Sequence, residues 1–553
     1  MADLAKGRHT ATRFALGAAL GVLVFLAVYG VSPLDVANDA FCRGGYIEKD
    51  IQQHYAGWLF YRENAIGFPF CVTKAVNAPA GVSVAYTDSI PLLAALLRPV
   101  ANALGGTFQY FGWFTLTSFA LQGGFGALLC GLFCESVPAC AAGSLLFSAS
   151  PILIERAFRH TSLGAQWLVL AALYCYFCGR RQGRYRLPLL FAVNVLAVGI
   201  HPYFLPLVMM CALLAAVELG RQKKVWGRAA LQFAASLAAA VVGGVLCGAI
   251  GSGTGASRSG YGDYSMNLNA LINPTSRGGY TWSRLYQVMP QQPGQYDGFN
   301  YLGLGVLALI TAALLFSLRR ALRCPQNTKT WWHRNGPVFA ACVFLTLFAV
   351  SNKIYWGNTG IELPLPAKLL ELCGIFRSSG RMFYLVAACM VVYAVYTLRD
   401  RLPGRYAVLV LALFVGVQAF DLSAAAQQKR QKFADPINAT VVNNDQTASL
   451  GAGHTQLLAA GEVREDRLRL LAILAGKQGL ATNLDIAVSG SHPAAEASRA
   501  DTAARLAAGQ YDPTAVYVTT DGATWENWQA VFAGDDSLNF FVADSCYFMV
   551  PAV

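Results

Sequence analysis

Charged residues are scarce in this sequence. Only 13% of its 553 residues are Asp, Glu, Lys or Arg, whereas a soluble globular chain carries roughly 25%. Hydrophobic residues make up 55% of the chain, and its mean hydropathy is +0.42. This composition excludes an ordinary soluble protein and predicts an α-helical polytopic membrane protein that lies in a lipid bilayer.

A concentrated basic surface is also missing, although the net charge is +12. The basic residues fall in short clusters between apolar stretches, which is the pattern of cytoplasmic loops in membrane proteins. We therefore predict no nucleic-acid partner, a cytoplasmic N-terminus and four further cytoplasmic clusters. These clusters are Arg180–Arg186, Arg221–Arg228, Arg319–Arg323 and Arg399–Arg405.

Motifs for nucleotides and metals are absent too. The glycine-rich run at 251–255 has no strand before it and no Lys-Ser or Lys-Thr after it, so it does not read as a P-loop. The first outer loop has Glu48-x-Asp50 in place of Asp-x-Asp. We predict no cofactor and no metal. A divalent metal is the alternative, and further oxygen ligands would then come from Asp88, Asp263, Asp297 and Glu362.

The apolar stretches predict eleven membrane crossings, at about 20 residues per crossing. They run from Arg13 to Val31, Phe108 to Phe133, Val137 to Leu153, Leu163 to Cys178, Leu187 to Leu219 as two crossings, Ala229 to Ile250, Tyr301 to Leu318, Pro337 to Ser351, Met382 to Leu398 and Tyr406 to Phe420.

Two stretches need a separate argument. His201-Pro202-Tyr203 places a polar turn in the middle of Leu187–Leu219, which predicts a hairpin with its tip outside. The stretch Ile90–Leu104 is short and carries Arg98 and Pro99, and the parity of the basic loops leaves no crossing for it. We predict that it lies on the outer interface as an amphipathic helix.

This topology divides the chain into a membrane domain, residues 1–420, and a less apolar tail, residues 421–553. Three large outer loops follow, at 32–108, 251–300 and 352–381. The tail alternates predicted helices with strands, so we expect a small extracytoplasmic α/β domain. Its predicted helices are Arg464–Leu474 and Arg499–Ala508, and its predicted strands are Ala515–Thr519, Asn539–Val542 and Tyr547–Val550.

Two cysteines lie outside the predicted spans in the first outer loop, Cys42 and Cys71. On an oxidising side of the membrane they would form a disulfide that braces the loop. Two free thiols are the alternative, and the sequence does not decide between them.

Residues Glu48–Tyr55, EKDIQQHY, combine two acids and a histidine just past the first span. Charged groups beside an apolar bundle are candidate site residues. If the segment is helical, Gln53 and His54 share a face with Asp50. If it is extended, Glu48 and Asp50 share a side. A solvated interfacial loop is the alternative without a site.

Arginines on the predicted outer side are informative because the charge rule disfavours them there. Arg156, Arg159 and His160 follow the outer end of the third span, and Arg377 and Arg381 precede the tenth. A guanidinium group matches phosphate oxygens in two parallel hydrogen bonds, so we predict that these groups bind a lipid-linked phosphate. The alternative is that each arginine snorkels to lipid headgroups.

Aromatic and polar residues of the outer loops are candidate contacts to a sugar. In the first loop the candidates are Gln53, Tyr55 and Trp58. The two aromatic rings suit sugar rings, although interfacial aromatics also serve as anchors. The second loop favours a polar cleft over an ordinary turn-rich loop, with candidate contacts at Tyr261, Asp263, Tyr264, Asn267, Tyr296 and Asp297. His201 is a further candidate, whereas Gln122 is better explained as a helix contact.

The order of these features resembles a known family. The chain has a first span, then an acid-bearing outer loop, then an interfacial helix that begins at Asp88-Ser89-Ile90-Pro91-Leu92-Leu93. A tight run of crossings follows, with Ser150-Pro151 near an outer end. This layout resembles the GT-C membrane glycosyltransferases, and within them an uncharacterised bacterial branch. The resemblance covers residues 1–420 and implies a polyprenyl-phosphate-linked sugar donor. It also implies that Asp50 is the catalytic base, with Glu48 two residues before it as a further candidate. The residues themselves add His54 as a catalytic candidate, and a structural hydrogen bond is the alternative for it.

The predicted function is therefore transfer of a sugar from polyprenyl phosphate to an envelope glycan or glycolipid, at the outer face of a bacterial inner membrane. We expect a metal-independent, inverting displacement, since a phosphate leaving group needs mainly charge stabilisation. Two alternatives stay open. One is a transporter or flippase of a lipid-linked saccharide, although neither an internal repeat nor mid-plane charges are seen; the other is a non-catalytic envelope-assembly scaffold.

Overall fold

A computed structural model describes residues 2–44, 50–63, 67–183, 185–250, 260–436, 444–487 and 493–552. Most of the chain is helical. The helices are α1 (Ala2–Tyr29), α2 (Ala40–Arg43), α3 (Asp50–Glu63), α4 (Pro91–Leu104), α5 (Phe111–Gly131), α6 (Val137–Ser148), α7 (Pro151–Arg156), α8 (Trp167–Gln182), α9 (Leu187–Ile200), α10 (Phe204–Lys223), α11 (Trp226–Leu246), α12 (Leu304–Arg323), α13 (Pro325–Val350), α14 (Ala367–Gly374), α15 (Phe383–Arg401), α16 (Gly404–Ala434), α17 (Glu465–Lys477), α18 (Pro493–Ala507) and α19 (Gly522–Val531).

Short strands and single helical turns connect these helices. The strands are β1 (Val72–Thr73), β2 (Val82–Ser83), β3 (Lys353–Trp356), β4 (Thr359–Glu362), β5 (Gln456–Ala459), β6 (Ala481–Thr482), β7 (Ala515–Thr519), β8 (Leu538–Ala543) and β9 (Cys546–Pro551). The 3₁₀ turns are Ser32–Leu34, Thr161–Gly164, Pro293–Gly298 and Ser379–Met382.

Within the described residues, ten helices are long and apolar enough to cross a membrane, which indicates a multi-pass membrane protein. The predicted eleventh crossing is the first arm of the hairpin, α9. It has 14 residues, fewer than the roughly 20 of a full-length membrane helix, so among the described residues ten rather than eleven helices reach that length. Helix α9 still connects the basic end of α8 with the turn at His201. The hairpin turn at His201 and the short helix α4 lie where the sequence predicts them.

Glycines set the closest helix contacts in the bundle. A Cβ added to Gly17 of α1 would lie 2.3 Å from the carbonyl oxygen of Gly123 in α5, and one on Gly21 would lie 2.0 Å from the oxygen of Phe119. Small residues let membrane helices pack backbone to backbone. The same face of α5 accepts a hydrogen bond from Ser144 Oγ of α6 at 2.9 Å, so α1, α5 and α6 form one tightly packed unit.

Helix α16 extends beyond its predicted end at Phe420 and continues to Ala434. The apolar pattern stops at Asp421, but the carboxylate of this residue is buried and accepts hydrogen bonds from the Tyr301 hydroxyl (2.7 Å) and the Leu304 amide (3.0 Å). These bonds fasten the start of α12 to the middle of α16. The loss of apolar character at 421 therefore marks a buried polar anchor within a helix.

The C-terminal region has the predicted mixture of helices and strands. Its five-stranded sheet has the order β6-β5-β7-β9-β8, with β5 parallel to β6 and β7, and β9 antiparallel to β7 and β8. All three strands and both helices that the sequence predicts are confirmed. Strands β5 and β6 and helix α19 were not predicted, because β6 is only two residues long and α19 shows little amphipathic pattern.

The C-terminal domain packs directly on the membrane part. The Thr482 amide donates to the Ala75 carbonyl at 2.7 Å, and the Asn77 amide donates to the Leu484 carbonyl at 3.0 Å, so the first outer loop pairs with the edge of the sheet. Helix α17 lies against α3, where a Cβ on Gly476 would come within 2.9 Å of Leu59 Cβ. The C-terminal domain therefore covers the helix that begins at Asp50.

Cys42 and Cys71 are both free and buried. The Sγ atom of Cys71 lies 3.7 Å from the carbonyl oxygen of Pro91. The free-thiol alternative is therefore the one found, and the disulfide between these residues is not formed.

Candidate functional site

The polar segment after the first span is helical, which decides between the two conformations left open by the sequence. Helix α3 begins at Asp50, so Asp50 and His54 lie one turn apart on the same face. His54 is 1% exposed, whereas the side chain of Asp50 is 21% exposed. Glu48, the other acid of the segment, lies outside the described residues.

A tight turn brings Asp88 to this helix. A Cβ on Gly57 would lie 2.1 Å from Thr87 Oγ1, so only glycine lets the turn approach α3 so closely. Ser89 Oγ donates to the His54 carbonyl at 2.7 Å, which fixes the turn in place. Asp88 itself has a φ of +58°, a conformation that aspartate tolerates better than most residues.

His54 connects two further segments. Its Nε2 atom lies 3.2 Å from Asp88 Oδ2, and its Nδ1 atom lies 3.0 Å from Thr161 Oγ1. Ser162 Oγ donates to the other oxygen of Asp88, and His201 Nε2 lies 3.7 Å from that same oxygen. Burial alone would raise the pKa of the Asp88 carboxyl, but the facing His54, with His201 and His160, holds it below its usual range.

His160 stands between two carboxylates. Its Nδ1 atom lies 3.8 Å from Asp50 Oδ2, and its Nε2 atom lies 3.4 Å from Asp297 Oδ1. Burial lowers the pKa of His160, and Asp297 and Asp50 offset only part of this effect. Burial would raise the pKa of Asp50, but His160, His54 and two arginines outweigh it and lower that pKa. The site thus favours an ionised Asp50 beside a neutral His160 at neutral pH.

Two of the predicted outer arginines meet on Asp297. Arg156 Nη1 donates to Asp297 Oδ1 at 2.5 Å, and Arg381 Nε donates to Asp297 Oδ2 at 3.1 Å. A Cβ on Gly380 would lie 2.6 Å from the Cα of Gly298, so glycines bring the turn that carries Arg381 onto the turn that carries Asp297. Asp297 is 3% exposed, and the two guanidinium groups hold its pKa well below the usual range against the effect of burial.

Together these side chains form one continuous group, here called the histidine–carboxylate cluster: Asp50, His54, Asp88, His160 and Asp297. The residues come from α3, the turn before α4, the turn after α7 and the 3₁₀ turn before α12. The sequence predicted the site roles of Asp50, His54, His160 and Asp297 separately, and the structure brings the four together.

The remaining predicted arginines lie against tyrosines. Arg159 pairs with Glu155, and its guanidinium carbon lies 5.5 Å from the centre of the Tyr296 ring. Arg377 lies 5.6 Å from the ring centre of Tyr264. The two rings contact each other edge to face at 6.2 Å. The predicted residues Tyr264 and Tyr296 therefore form an aromatic surface next to Asp297, with the positive charges of Arg159 and Arg377 against it.

Other predicted substrate contacts brace the fold. Trp58 is fully buried and donates to the Phe108 carbonyl at 2.7 Å, and the Tyr55 hydroxyl donates to Asp39 Oδ2 at 2.8 Å. Gln53 is buried and donates to the Tyr86 carbonyl. Because these polar atoms are already paired, the structure supports a packing role for these three side chains.

The same applies to three residues of the second loop. Tyr261 donates to the Phe348 carbonyl, Asn267 is buried and donates to Gln295 Oε1, and Asp263 pairs with Lys353 at 2.6 Å. Their described hydrogen bonds hold the loop together and do not reach the cluster. His201, in contrast, faces Asp88, as expected for a site residue. Burial lowers its pKa to about 4.

Sequence reasoning named Asp88 only as an oxygen ligand of the alternative divalent metal, and it assigned no site role to Thr161, Ser162 or Arg469. Arg469 of α17 contributes to the lowered pKa of Asp50, although hundreds of residues separate them in the chain. Only Asp88 had a usable signal, an acid directly before a helix that starts with proline. No local pattern marks the other three residues, because they reach the site through tertiary packing.

Three members of the cluster have the donor atoms and spacing for a metal ion. One ligand atom each from His54, Asp88 and His160 lies within 4.8 Å of the other two. Two imidazoles and a carboxylate are ligands that zinc and similar ions accept. Of the predicted oxygen donors, Asp88 belongs to this group of three, whereas Asp263, Asp297 and Glu362 do not.

Comparison with known families matches nearly the whole chain. Residues 18–423 match the family described as a domain of unknown function, DUF6311, and residues 446–551 match the DUF6311 C-terminal domain. No curated protein matches the chain. Because the family match covers well over half of the sequence, the protein belongs to the DUF6311 family.

Proposed function

We propose that the protein is a GT-C-type glycosyltransferase that transfers a sugar from polyprenyl phosphate to a glycan or glycolipid of the bacterial envelope. One observation carries the proposal. Asp50, the most exposed carboxylate of the cluster, is linked through His160 and Asp297 to Arg156 and Arg381. A base and a cationic group therefore lie in one connected site.

Asp50 has the properties of a general base. Its lowered pKa keeps it ionised at neutral pH, and its partial exposure leaves room for an acceptor hydroxyl. Asp88 and Asp297 have side chains only 6% and 4% exposed. In the proposed step, the hydroxyl gives its proton to Asp50 as its oxygen bonds to the anomeric carbon. The bond from that carbon to the phosphate oxygen breaks, and polyprenyl phosphate leaves with the electron pair.

The arginines suit the leaving phosphate. Arg156 and Arg381 share a single carboxylate, so the three groups together keep one positive charge. Fixed positive charge at the position where a leaving group becomes negative lowers the barrier. Arg156 ends α7 and Arg381 immediately precedes α15, and a lipid-linked phosphate would meet both at the ends of membrane-length helices.

The distribution of basic residues supports an outer-face site. Helix α10 begins beside His201 and ends at Arg221 and Lys223, and α15 begins beside Arg381 and ends at Arg399 and Arg401. The cluster and the basic ends therefore lie at opposite ends of these helices. With basic loops in the cytoplasm, the cluster and the C-terminal domain would face outward, where that domain would help to bind the acceptor.

Sugar transfer by purified protein in lipid nanodiscs tests the proposal. A panel of short-chain polyprenyl-phosphate sugars is offered with envelope glycan acceptors, and the variant Asp50→Asn is compared with wild type. Loss of a general base costs about 100-fold or more in rate. The matched control is Asp400→Asn, an acid that pairs with Arg401 at the end of α15 away from Arg381, and it should keep wild-type activity.

Two results would overturn the proposal. Equal transfer by wild type and Asp50→Asn removes Asp50 as the base. The second result has two parts: the protein transfers sugar from no donor, and the protein reconstituted in closed lipid vesicles moves a lipid-linked saccharide across their membrane. This result would replace the glycosyltransferase proposal by a transport function.

A further inference from the structure

Three side chains from separate segments converge with spacing suited to a metal ion. His54 comes from α3, Asp88 from the turn before α4, and His160 from the turn after α7. Their ligand atoms lie within 4.8 Å of one another, and His54 Nε2 lies 3.2 Å from Asp88 Oδ2. Zinc holds nitrogen and oxygen ligands at about 2.0–2.2 Å, so its ligand atoms are spaced on the scale seen here.

The partner of His54 orients the ring toward this point. Thr161 Oγ1 lies 3.0 Å from Nδ1. When the hydroxyl oxygen accepts the Nδ1 proton, the lone pair of Nε2 points toward Asp88. Metal-binding histidines almost always have their second nitrogen held in this way.

The two oxygens of Asp88 have different surroundings. Oδ1 accepts a hydrogen bond from Ser162 Oγ and faces His201. Oδ2 is buried and faces His54 Nε2 at 3.2 Å, within hydrogen-bond reach of a protonated ring nitrogen. Metal ligands bind in their deprotonated form, so a cation between Nε2 and Oδ2 would take the place of the proton that these two atoms share.

His201 supports Asp88 and is not a ligand. The Tyr203 amide donates to His201 Nδ1 at 3.1 Å, so Nδ1 carries a lone pair and the proton of the neutral ring sits on Nε2. That proton faces Asp88 Oδ1 at 3.7 Å. His201 therefore orients the carboxylate from the side opposite His54.

His160 has the second-sphere partner that a metal ligand needs. Its Nε2 atom faces Asp297 Oδ1, and its Nδ1 atom lies on the side of Asp50. A carboxylate that accepts from one nitrogen of a histidine while the other nitrogen binds metal is a recurrent arrangement. Asp297 is itself fixed by Arg156 and Arg381, so this partner cannot easily turn away.

The charges around the three carboxylates also favour a bound cation. Asp297 has two guanidinium partners, but the ion pairs that Asp50 and Asp88 make with described residues are all with histidines. Asp88 is the buried one of the two, and burying an ionised carboxylate without a firm positive partner is costly. A dication would compensate Asp88 and would lie beside the partly exposed Asp50.

We propose that His54, Asp88 and His160 bind a divalent transition metal of the zinc type, beside Asp50 at the outer edge of the cluster. Two nitrogen ligands favour such a metal over magnesium or calcium, which prefer oxygen. The proposal concerns binding and stands whether or not the protein transfers sugars.

Metal content of the purified full-length protein tests it. Protein freed of any histidine tag is stripped with chelator, incubated with Zn²⁺, desalted and measured by elemental mass spectrometry. We expect about one zinc per chain in the wild type, since three protein ligands make a usual zinc site. His54→Ala and Asp88→Asn should each lose at least nine-tenths of the bound zinc. The matched control is His333→Ala, which removes an exposed histidine of α13 and should bind like wild type.

A second measurement guards against variants that fail to fold. Co²⁺ replaces Zn²⁺ in the wild-type protein, where nitrogen ligands give visible absorption that distinguishes them from oxygen-only sites. Absorption that shows nitrogen ligands, and that added Zn²⁺ removes, supports the site. The proposal is overturned if wild-type protein retains neither metal, or if Asp88→Asn and His333→Ala bind equally.

Discussion

Histidines in the two domains have opposite surroundings. His454 of the C-terminal domain has its ring nitrogens 3.0 Å from the carbonyl oxygens of Leu450 and Pro551. The ring therefore ties backbone to backbone. In the cluster, His54 faces a carboxylate and a hydroxyl, and His160 faces two carboxylates. The comparison shows that a buried histidine is a candidate for chemistry when its partners are titratable side chains.

The same contrast extends to buried polar atoms in general. Among the described residues, every buried side-chain nitrogen or oxygen without a hydrogen bond lies in the membrane part, and none lies between 444 and 552. Arg156 Nε belongs to this set. Native folds normally pair such atoms. The exceptions lie in the part of the molecule that includes the cluster, whereas the buried polar side chains of the C-terminal domain have their hydrogen bonds.

Among the variants considered, Asp297→Ala is expected to lower the free energy of unfolding most. It leaves Arg156 and Arg381 buried without their carboxylate, and breaking a buried ion pair in this way costs about 3–5 kcal/mol. Thermal unfolding in detergent measures the loss. The matched control is Asp466→Ala in the C-terminal domain, where an exposed pair with Arg464 contributes about 1 kcal/mol or less. Equal losses for the two variants would contradict the contrast between the domains.

His454→Leu is expected to lower the free energy of unfolding by a smaller amount. The neutral ring donates one hydrogen bond, so one of the two carbonyl groups loses its donor, and leaving an acceptor unpaired costs about 1–3 kcal/mol. We expect a lower unfolding temperature together with unchanged zinc content and unchanged transfer by the folded fraction. A change in metal content would show that the C-terminal histidine is coupled to the cluster after all.

The smallest loss of stability is expected from removing the ion pair between Asp39 of the membrane part and Lys477 of the C-terminal domain. Burial would raise the pKa of Asp39, but Lys477 at 2.6 Å, with Arg43 and Tyr55, lowers it. A carboxylate with a lowered pKa in the folded state stabilises the fold above its unfolded pKa, about 4, and this stabilisation is lost as the pH falls through the folded value. Unfolding temperatures between pH 7 and 3 should therefore fall more steeply in wild type than in Asp39→Asn.

The control for this pH series is Asp501→Asn, an acid of the C-terminal helix α18, which should reproduce the wild-type slope. At pH 7 we expect Asp39→Asn to cost about 1 kcal/mol, the upper scale of an ion pair with an exposed partner, since the Lys477 side chain is 27% exposed. A slope as steep in Asp39→Asn as in wild type would show that Asp39 does not control the contact.

The sequence predicted much of the architecture because helices and strands follow local patterns. A polar turn in a long apolar stretch located the hairpin at His201, the parity of the basic loops placed the short helix α4, and local patterns located most of the C-terminal elements. The end of α16 was missed because the apolar run stops at Asp421 while hydrogen bonds from distant residues carry the helix further.

The site was predicted less completely, for a physical reason. Asp50 and His54 lie close in the chain, so a helix is enough to bring them together. The meeting of Arg156 and Arg381 on Asp297, and the approach of Asp88 to α3, depend on glycine contacts between remote segments. No local pattern encodes such contacts, and the two arginine groups were therefore predicted without the carboxylate that joins them.

The packing of α17 on α3 has a consequence for biosynthesis. Several hundred residues separate α3 from α17 in the chain, so the ribosome completes the first long before the second. During synthesis, the segment that starts at Asp50 is therefore exposed until α17 has been made and Arg469 can reach it.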